Sequence, residues 1–474
     1  MSDSQHGFEF SARAQRTGAQ PISYLMAQAV DNPDLISLAA GLVDYPTLPS
    51  DEAARLLSDI LKTVEQDGET DVVEMGKIAM QYGTTQGHAG LRQKLLEHMA
   101  ALDSVTPADL GATADDVVIT TGSQQLLFML TDVMVDPGDI VITPWPSYFV
   151  YTGTLKTFGA EVRCVDIDQN GVIPEKLDEL LAQLQAAGDL PRVKIVYIVD
   201  YHQNPTGITL AADRRPQIFD IVNRYSTDHR ILLLEDAAYR ELTYHGAPPA
   251  SKRLRDSGRF GRLPSGYLLR FRIYFFLTYH GAPPASIKKY DTTNECVALV
   301  QTFSKPFAPG LKTGYGLMPA PLVEAVINQK GNHDFGSSNL CQHLLLSAME
   351  GCVYRSQVDR LCQAYKLKSQ TMLDALTEHL GDFRPEQTHW TNPTGGLYVY
   401  LTLPEHIDTS RDGELFKRCL SQGVIYVPGD YCYPDDATRT VPRNHMRLSF
   451  GVPTIEQISE GIARLAKAIK TTET

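Results

Sequence analysis

Between positions 117 and 302, short apolar runs alternate with longer stretches of helical period, and this restricts the possible folds more than any other feature. Val117-Val118-Ile119, Ile140-Val141-Ile142, 162–165, 194–199, Ile231-Leu232-Leu233-Leu234 and 297–302 read as strands. The stretches 123–135, 174–187 and 211–225 read as helices between them. The second helix has Pro174 at its start, where a missing amide hydrogen costs nothing. Apolar strands joined through helices predict an α/β fold with a mostly parallel sheet sandwiched by helices. The C-terminal third changes character. Residues 340–380 read as one long helix with a break, 397–401 and 446–450 as strands, and 455–469 as a terminal helix. That predicts a smaller α+β domain. The expected division is an arm over 1–50 contributing to the small domain, a large domain over 51–335, and a small domain over 336–474.

Composition narrows the function classes. A net charge of −13 argues against a broad nucleic-acid surface. No apolar run approaches the length that spans a bilayer, and the polar stretch from Met1 to His6 has no apolar signal core. The seven cysteines are scattered, with no Cys-x-x-Cys pair. They read as reduced thiols of a cytoplasmic protein, without a disulfide framework or a metal site.

One segment repeats verbatim. The ten residues Leu242 to Ser251 recur as Leu277 to Ser286, a period of 35. Two copies cannot stack into a solenoid. The intervening Lys252 to Phe276 carries seven Lys/Arg against one Asp. It reads either as an anion-binding basic patch or, more plainly, as a tandem duplication forming a loop over 242–276.

Four short motifs fall at or near strand ends, where open α/β sheets bind ligands. Thr120-Thr121-Gly122-Ser123-Gln124-Gln125 opens a helix, whose free amides suit a phosphate. Asn204-Pro205-Thr206-Gly207 reads as a tight turn. Asp236-Ala237-Ala238-Tyr239 places a carboxylate at the end of a buried strand, where it needs a partner. Thr302-Phe303-Ser304-Lys305, followed by Pro309-Gly310-Leu311-Lys312, offers a lysine that is either a surface residue or an amine nucleophile.

In this order the motifs resemble the fold-type I, pyridoxal-phosphate-dependent aminotransferases of class I/II, from about Ile36 to the last helix, and the resemblance implies a sheet of the seven-stranded type. Ile36-Ser-Leu-Ala-Ala-Gly-Leu42, Gln81-Tyr82-Gly83, Gly122-Ser-Gln-Gln125 and Arg447-Leu-Ser-Phe450 are most similar to the 2-aminoadipate/kynurenine branch. The resemblance implies that Lys305 binds the cofactor covalently and then shuttles the substrate proton. It implies that Asp236 pairs with the pyridinium nitrogen and that Asn204 and Tyr239 bond the ring 3′-oxygen. Tyr148 would stack on the ring. Ser123, Gln124, Thr302, Ser304 and Lys312 would hold the phosphate, joined by Tyr82 from a second subunit in a homodimer. Arg447 would clamp the substrate α-carboxylate, with Gly41 leaving room for it and Asn204 beside it. Arg16, in a segment 13–26 that resembles the branch's substrate-covering arm, is a candidate contact for an acidic or polar side chain.

The implied reaction moves an amino group from an L-amino acid to a 2-oxo acid through a ping-pong pyridoxamine cycle. The same site chemistry also serves lyases acting at Cβ, and a binding protein inactivated by the insert is the remaining alternative. The sequence departs from the family at two places. Lys312 stands where the family usually has Arg, which keeps the charge and loses the planar fork. Asp236 and Lys305 lie 69 positions apart, and removing one repeat period leaves 34, about the family's spacing. Residues 239–242 and 286–290 are then expected to join as one turn-and-strand passage.

Overall fold

The computed structural model describes residues 8–19, 24–25, 27–28, 31–32, 34–62, 64–67, 71–244 and 283–472. Its strands in chain order are β1 (Ile36–Ser37), β2 (Val64–Asp67), β3 (Asp71–Glu74), β4 (Val117–Thr120), β5 (Ile140–Trp145), β6 (Glu161–Asp168), β7 (Gly171–Val172) and β8 (Val193–Val199). They continue as β9 (Leu232–Asp236), β10 (Val297–Thr302), β11 (Gly314–Leu317), β12 (His389–Trp390), β13 (Tyr398–Thr402), β14 (Val424–Ile425), β15 (Val427–Pro428) and β16 (His445–Ser449).

The large sheet has eight strands in the order β4-β11-β10-β9-β8-β5-β6-β7. Strands β10, β9, β8, β5 and β6 pair in parallel. β11 runs antiparallel to both its neighbours, so β4 points the same way as the parallel set. The eighth strand is the two-residue β7, which folds back on β6 at the edge. Strands β4, β9 and β10 are buried at every residue, as a sheet covered on both faces requires. One face packs on Leu126, Leu130 and Leu155, and the other on Leu177, Leu181 and Ile218.

The second sheet, β12-β13-β16-β15, is antiparallel. The helical stretch expected over 340–380 is two helices, Asn339–Glu350 and Val353–Leu380, broken at Gly351 and Cys352. The N-terminal residues join this half: β1 pairs in parallel with β14, and the Ser449 amide donates to the Leu38 carbonyl at 2.7 Å. That delivers Ala39 to Gly41 to the rim between the two sheets.

The repeat falls mostly on residues 245–282, outside the described residues. The docked ends come one from each copy. Leu242 and Tyr244 of the first copy are buried, and the Tyr244 amide donates to the Thr394 carbonyl at 3.1 Å. At the end of the second copy, the Ser286 amide donates to Asp103 at 2.6 Å. The strand expected just after the second copy is instead a 3₁₀ turn, Ile287–Tyr290. The physical reason is visible in its amides. Those of Ile287 and Lys288 are taken by the Glu235 carboxylate at 2.8 and 2.9 Å, which leaves no donors for a strand ladder.

Candidate active site

The parallel strands bring the singled-out motifs to one end of the sheet. Gly122 follows β4, Tyr148 follows β5, Asn204 lies just beyond β8, Asp236 ends β9, and Ser304 and Lys305 follow β10. Residues at strand ends can point into a shared cleft while their backbones stay paired.

Asp236 is 4 % exposed. Its carboxylate accepts the Tyr197 hydroxyl at 2.8 Å and the Ala238 amide at 3.3 Å. Among the described residues it has no cationic partner. Burial pushes its pKa up to about 6, although both hydrogen bonds pull the other way. A buried carboxylate in this state attracts a cation. Tyr148 sits close enough that the Asp236 charge, after burial, raises its phenol.

Arg447, on β16, is 1 % exposed. Nη1 donates to Asn204 Oδ1 at 2.8 Å and Nη2 to the Ala39 carbonyl at 2.7 Å. Nε is buried without a hydrogen-bond partner. The guanidinium carbon lies 4.4 Å from the Tyr398 ring centroid and 5.5 Å from that of Phe149. Among the described residues no carboxylate pairs with it, so Arg447 is not held there by an ion pair. A dry, charged guanidinium with a spare N–H suits a small carboxylate.

Lys305 lies close enough to Arg447 to feel its charge. Its Nζ donates to the Gly41 carbonyl at 2.7 Å and stands 5.8 Å from the Tyr239 ring centroid. Burial first, with the charges of Arg447 and Lys312 adding to it, holds the amine below its ordinary value despite Tyr398 nearby. A lysine held that way keeps more of the neutral, nucleophilic form.

At the phosphate end, the helix Ser123–Met134 starts after Gly122, whose φ of +77° only glycine adopts freely. Gln124 donates to Thr154 Oγ1 at 3.2 Å, and its Oε1 is buried without a partner. Thr302 Oγ1 donates to Ser304 Oγ at 2.9 Å. Lys312 is exposed and takes φ +49° directly after the turn Pro309–Leu311.

Three expected residues deserve separate placement. Tyr82 is 83 % exposed and meets Phe335 edge-on at 5.7 Å, away from Lys305 on its own chain. Arg16 donates to the Thr157 carbonyl at 3.2 Å and lines a cavity of about 510 Å³ with Phe149, Lys156 and Tyr431. A Cβ on Gly41 would fall 2.8 Å from Tyr398 Oη and 3.9 Å from Arg447 Nη2. The nearest constraint on Gly41 is therefore a tyrosine, which sequence reasoning did not single out. Tyr398 sits two residues into the run expected as a strand, and an apolar strand was sufficient reason for it there. Tyr197, which braces Asp236, was hidden in the same way inside β8.

The large sheet brings a lysine and a carboxylate without a cationic partner to one end, and Arg447 on the second sheet lies near enough to act on Lys305. These residues fit an enzyme dependent on pyridoxal phosphate: the cofactor's protonated ring nitrogen would supply the cation that Asp236 lacks. Aminotransferase class I and II matches residues 33–465, and the chain belongs to this family. It is 30 % identical to the aromatic-amino-acid aminotransferase 1 of Thermococcus litoralis over 97 % of this chain and 94 % of that one. It is 28 % identical to the 2-aminoadipate transaminase of Thermus thermophilus, over 97 % and 96 % of the two chains. Among solved structures it is similar to the Pyrococcus horikoshii kynurenine aminotransferase, with 28 % identity, 98 % of each chain covered and a TM-score of 0.79. The protein is thus a pyridoxal-phosphate-dependent aminotransferase.

Proposed function

We propose that this aminotransferase works as a homodimer in the cytoplasm, with Lys305, Asp236 and Tyr239 as its catalytic residues. One observation carries the site assignment: Asp236 and Arg447 are buried opposite charges that both act on Tyr148, Lys305 lies within reach of the Arg447 charge, and neither Asp236 nor Arg447 has an ionic partner among the described residues. Bound pyridoxal phosphate supplies an electron sink for the charge that develops at the substrate Cα. Asp236 would hold a proton on the ring nitrogen and so keep that sink effective. Arg447 grips the α-carboxylate, helped by Asn204, and so orients the Cα–H bond. Lys305 would hold the cofactor covalently and, as a free amine, would take the proton from Cα and later return it. Tyr239 and Asn204 would bond the ring oxygen, Tyr148 would cover the ring face, and Ser123, Gln124, Thr302, Ser304 and Lys312 would hold the phosphate.

The two substrates, an L-amino acid and a 2-oxo acid, share one carboxylate clamp. This favours a ping-pong cycle in which they enter in turn. Arg16 stands in this reading as a contact for an acidic or polar substrate side chain. The matched relatives named for aromatic amino acids, 2-aminoadipate and kynurenine leave the donor of this chain within that range. The division into an arm over 1–50, a large domain over 51–335 and a small domain over 336–474 follows the two sheets.

Dimerisation is supported by the surface around Tyr82. Ile78, Met80, Tyr82 and Phe335 are all exposed, three of them near a groove of about 390 Å³. Such a patch suits a second copy, with Tyr82 reaching the partner's phosphate. The cytoplasmic reading rests on seven free cysteines, five of them buried in apolar clusters. No helix of the described residues is long and apolar enough to cross a membrane.

An amino-donor screen of the holoenzyme tests the reaction. A donor should convert the visible cofactor band to the pyridoxamine form, and a 2-oxo acid should restore it. Borohydride should trap the resting cofactor on Lys305. Trapping on another lysine sinks the site assignment. Ammonia release without an oxo acid would make the protein a lyase.

A further inference from the structure

Tyr398 lies where three parts of the chain meet. It sits on β13 of the second sheet and is 1 % exposed. Its hydroxyl is 3.1 Å from that of Tyr239, which follows β9 of the large sheet. The rings meet edge to face, with centroids 5.7 Å apart. The backbone of the N-terminal segment approaches so closely that only a glycine fits at position 41. The Arg447 guanidinium covers the other side of the ring at 4.4 Å.

A phenol has one proton to donate. If Tyr239 gives its proton to the cofactor's ring oxygen, the pair needs its own donor, and Tyr398 is the group in contact. The charges around it favour this direction. Burial raises the Tyr398 phenol, but the cations of Arg447 and Lys305 outweigh it and bring it below its ordinary value. Tyr239 is held well above its ordinary value by burial and by the Tyr398 charge. The more acidic phenol of a pair is the better donor. The other titratable groups facing Tyr398 are Cys432, Tyr148 on the large-sheet side, and Tyr365 on the helix Val353–Leu380.

We propose that Tyr398 is a positioning residue that donates to Tyr239 and thereby strengthens the hydrogen bond Tyr239 gives to the cofactor's ring oxygen. This rests on the assignment of Tyr239 made above. Chained hydrogen bonds polarise one another, so a donor behind Tyr239 makes its own O–H a stronger donor. The ring oxygen carries most negative charge when the nitrogen joining Lys305 to the cofactor has lost its proton. The relay therefore stabilises the deprotonated form and lowers the pH at which the holoenzyme's visible band changes.

The test is a pH titration of that band in four holoenzymes: the parent, Tyr398→Phe, Tyr239→Phe and the double variant. Phenylalanine keeps the ring under Arg447 and removes only the hydroxyl. Tyr398→Phe should raise the midpoint by roughly half a pH unit, and Tyr239→Phe by more. In the Tyr239→Phe background the second substitution should add nothing, because its route is gone. An unchanged midpoint in Tyr398→Phe overturns the relay. So does an equal shift in both backgrounds, which would mean a direct effect of the hydroxyl on the cofactor. A shift in Tyr398→Phe with none in Tyr239→Phe overturns it as well. Failure of the underlying assignment looks different: Tyr239→Phe alone would then leave the midpoint at the parent's value. Melting temperatures of the apoproteins separate any loss of packing from these outcomes.

Discussion

Two buried charged clusters lie back to back on the same strands, and they are built on opposite principles. Glu235 and Asp236 are neighbours on β9, so their side chains leave the sheet on opposite faces. On the Glu235 side, Arg215 contacts Asp200 and lies 3.6 Å from Glu235, and Arg240 contacts Asp103. Burial, and then the Asp200 charge, holds the Glu235 carboxyl well above its ordinary range. With its proton kept, two guanidiniums balance Asp103 and Asp200. On the Asp236 side, a carboxylate and a guanidinium are both buried, and among the described residues neither has an opposite charge beside it. The first cluster pairs its charges and pins Ser286 to Lys288, although Asp200 Oδ1 and Arg240 Nε and Nη1 are buried without hydrogen-bond partners. In the proposed function, cofactor and substrate would bring the charges the second lacks. A buried charge without its counterpart is costly to a fold, so its presence marks function.

Substitutions should separate the two clusters by what they damage. Lys305→Ala should lower turnover by roughly a thousandfold or more and abolish borohydride trapping. Steady-state rates and mass spectrometry of the reduced protein read this, and near-parental activity would refute the assignment. Arg215→Ala should instead destabilise by about 3–5 kcal/mol, because it leaves Asp200 buried and unpaired. Denaturant melts measure that loss. An equally stable variant would mean the closed cluster is less tightly coupled than its contacts imply.

The Asp236 side should show a smaller effect with a distinct pH signature in the apoprotein. The folded pKa near 6 lies above the ordinary value of 3.8. Its contribution to stability is thus fully present below pH 3.8 and is lost as pH rises through about 6. The difference amounts to about 3 kcal/mol. Asp236→Asn should remove this slope, so the parent and the variant should diverge across pH 4–7. Parallel stability curves would contradict the unpaired-carboxylate reading. Arg447→Lys keeps the charge and loses the fork, so KM for both substrates should rise roughly tenfold to a hundredfold with a smaller change in kcat. The smallest effect is expected from deleting 242–276. The surviving copy supplies the same Leu-Thr-Tyr and Pro-Ala-Ser ends, and cutting the connection between them from 39 residues to four lowers its closure cost by about 2 kcal/mol. The melting temperature should move by a few degrees at most, and turnover should stay within about twofold of the parent. A large loss of either would show that the duplicated segment takes part in folding or catalysis.

Much of the large sheet could be read directly from the chain, because a strand buried on both faces must be apolar along its length. β10 appears within the bounds expected, and β4, β8 and β9 within two residues of them. The site residues on the strand ends were legible for a related reason. Asp236 and Lys305 are polar groups set against buried runs, and Asn204 sits in a tight-turn signature. The β2–β3 pair went unread, and so did the helix Ser50–Lys62, although its buried Leu56 and Ile60 stand one helical turn apart. The turn Ile287–Tyr290 went against expectation because carboxylates distant in sequence claim amides here, Glu235 those of Ile287 and Lys288 and Asp103 that of Ser286 just before it.

The sequence by itself determined the fold class, the sheet-end positions of Asp236 and Lys305, and the family to which the chain belongs. These follow from local period and from motif order. Tertiary structure alone decided that Arg447 lacks a carboxylate, that Tyr197 braces Asp236, and that Tyr398 touches Tyr239. It also decided which half of each repeat copy is docked. Those facts concern partners separated by tens to hundreds of positions. Whether a buried charge is balanced or left open depends on what folding brings beside it.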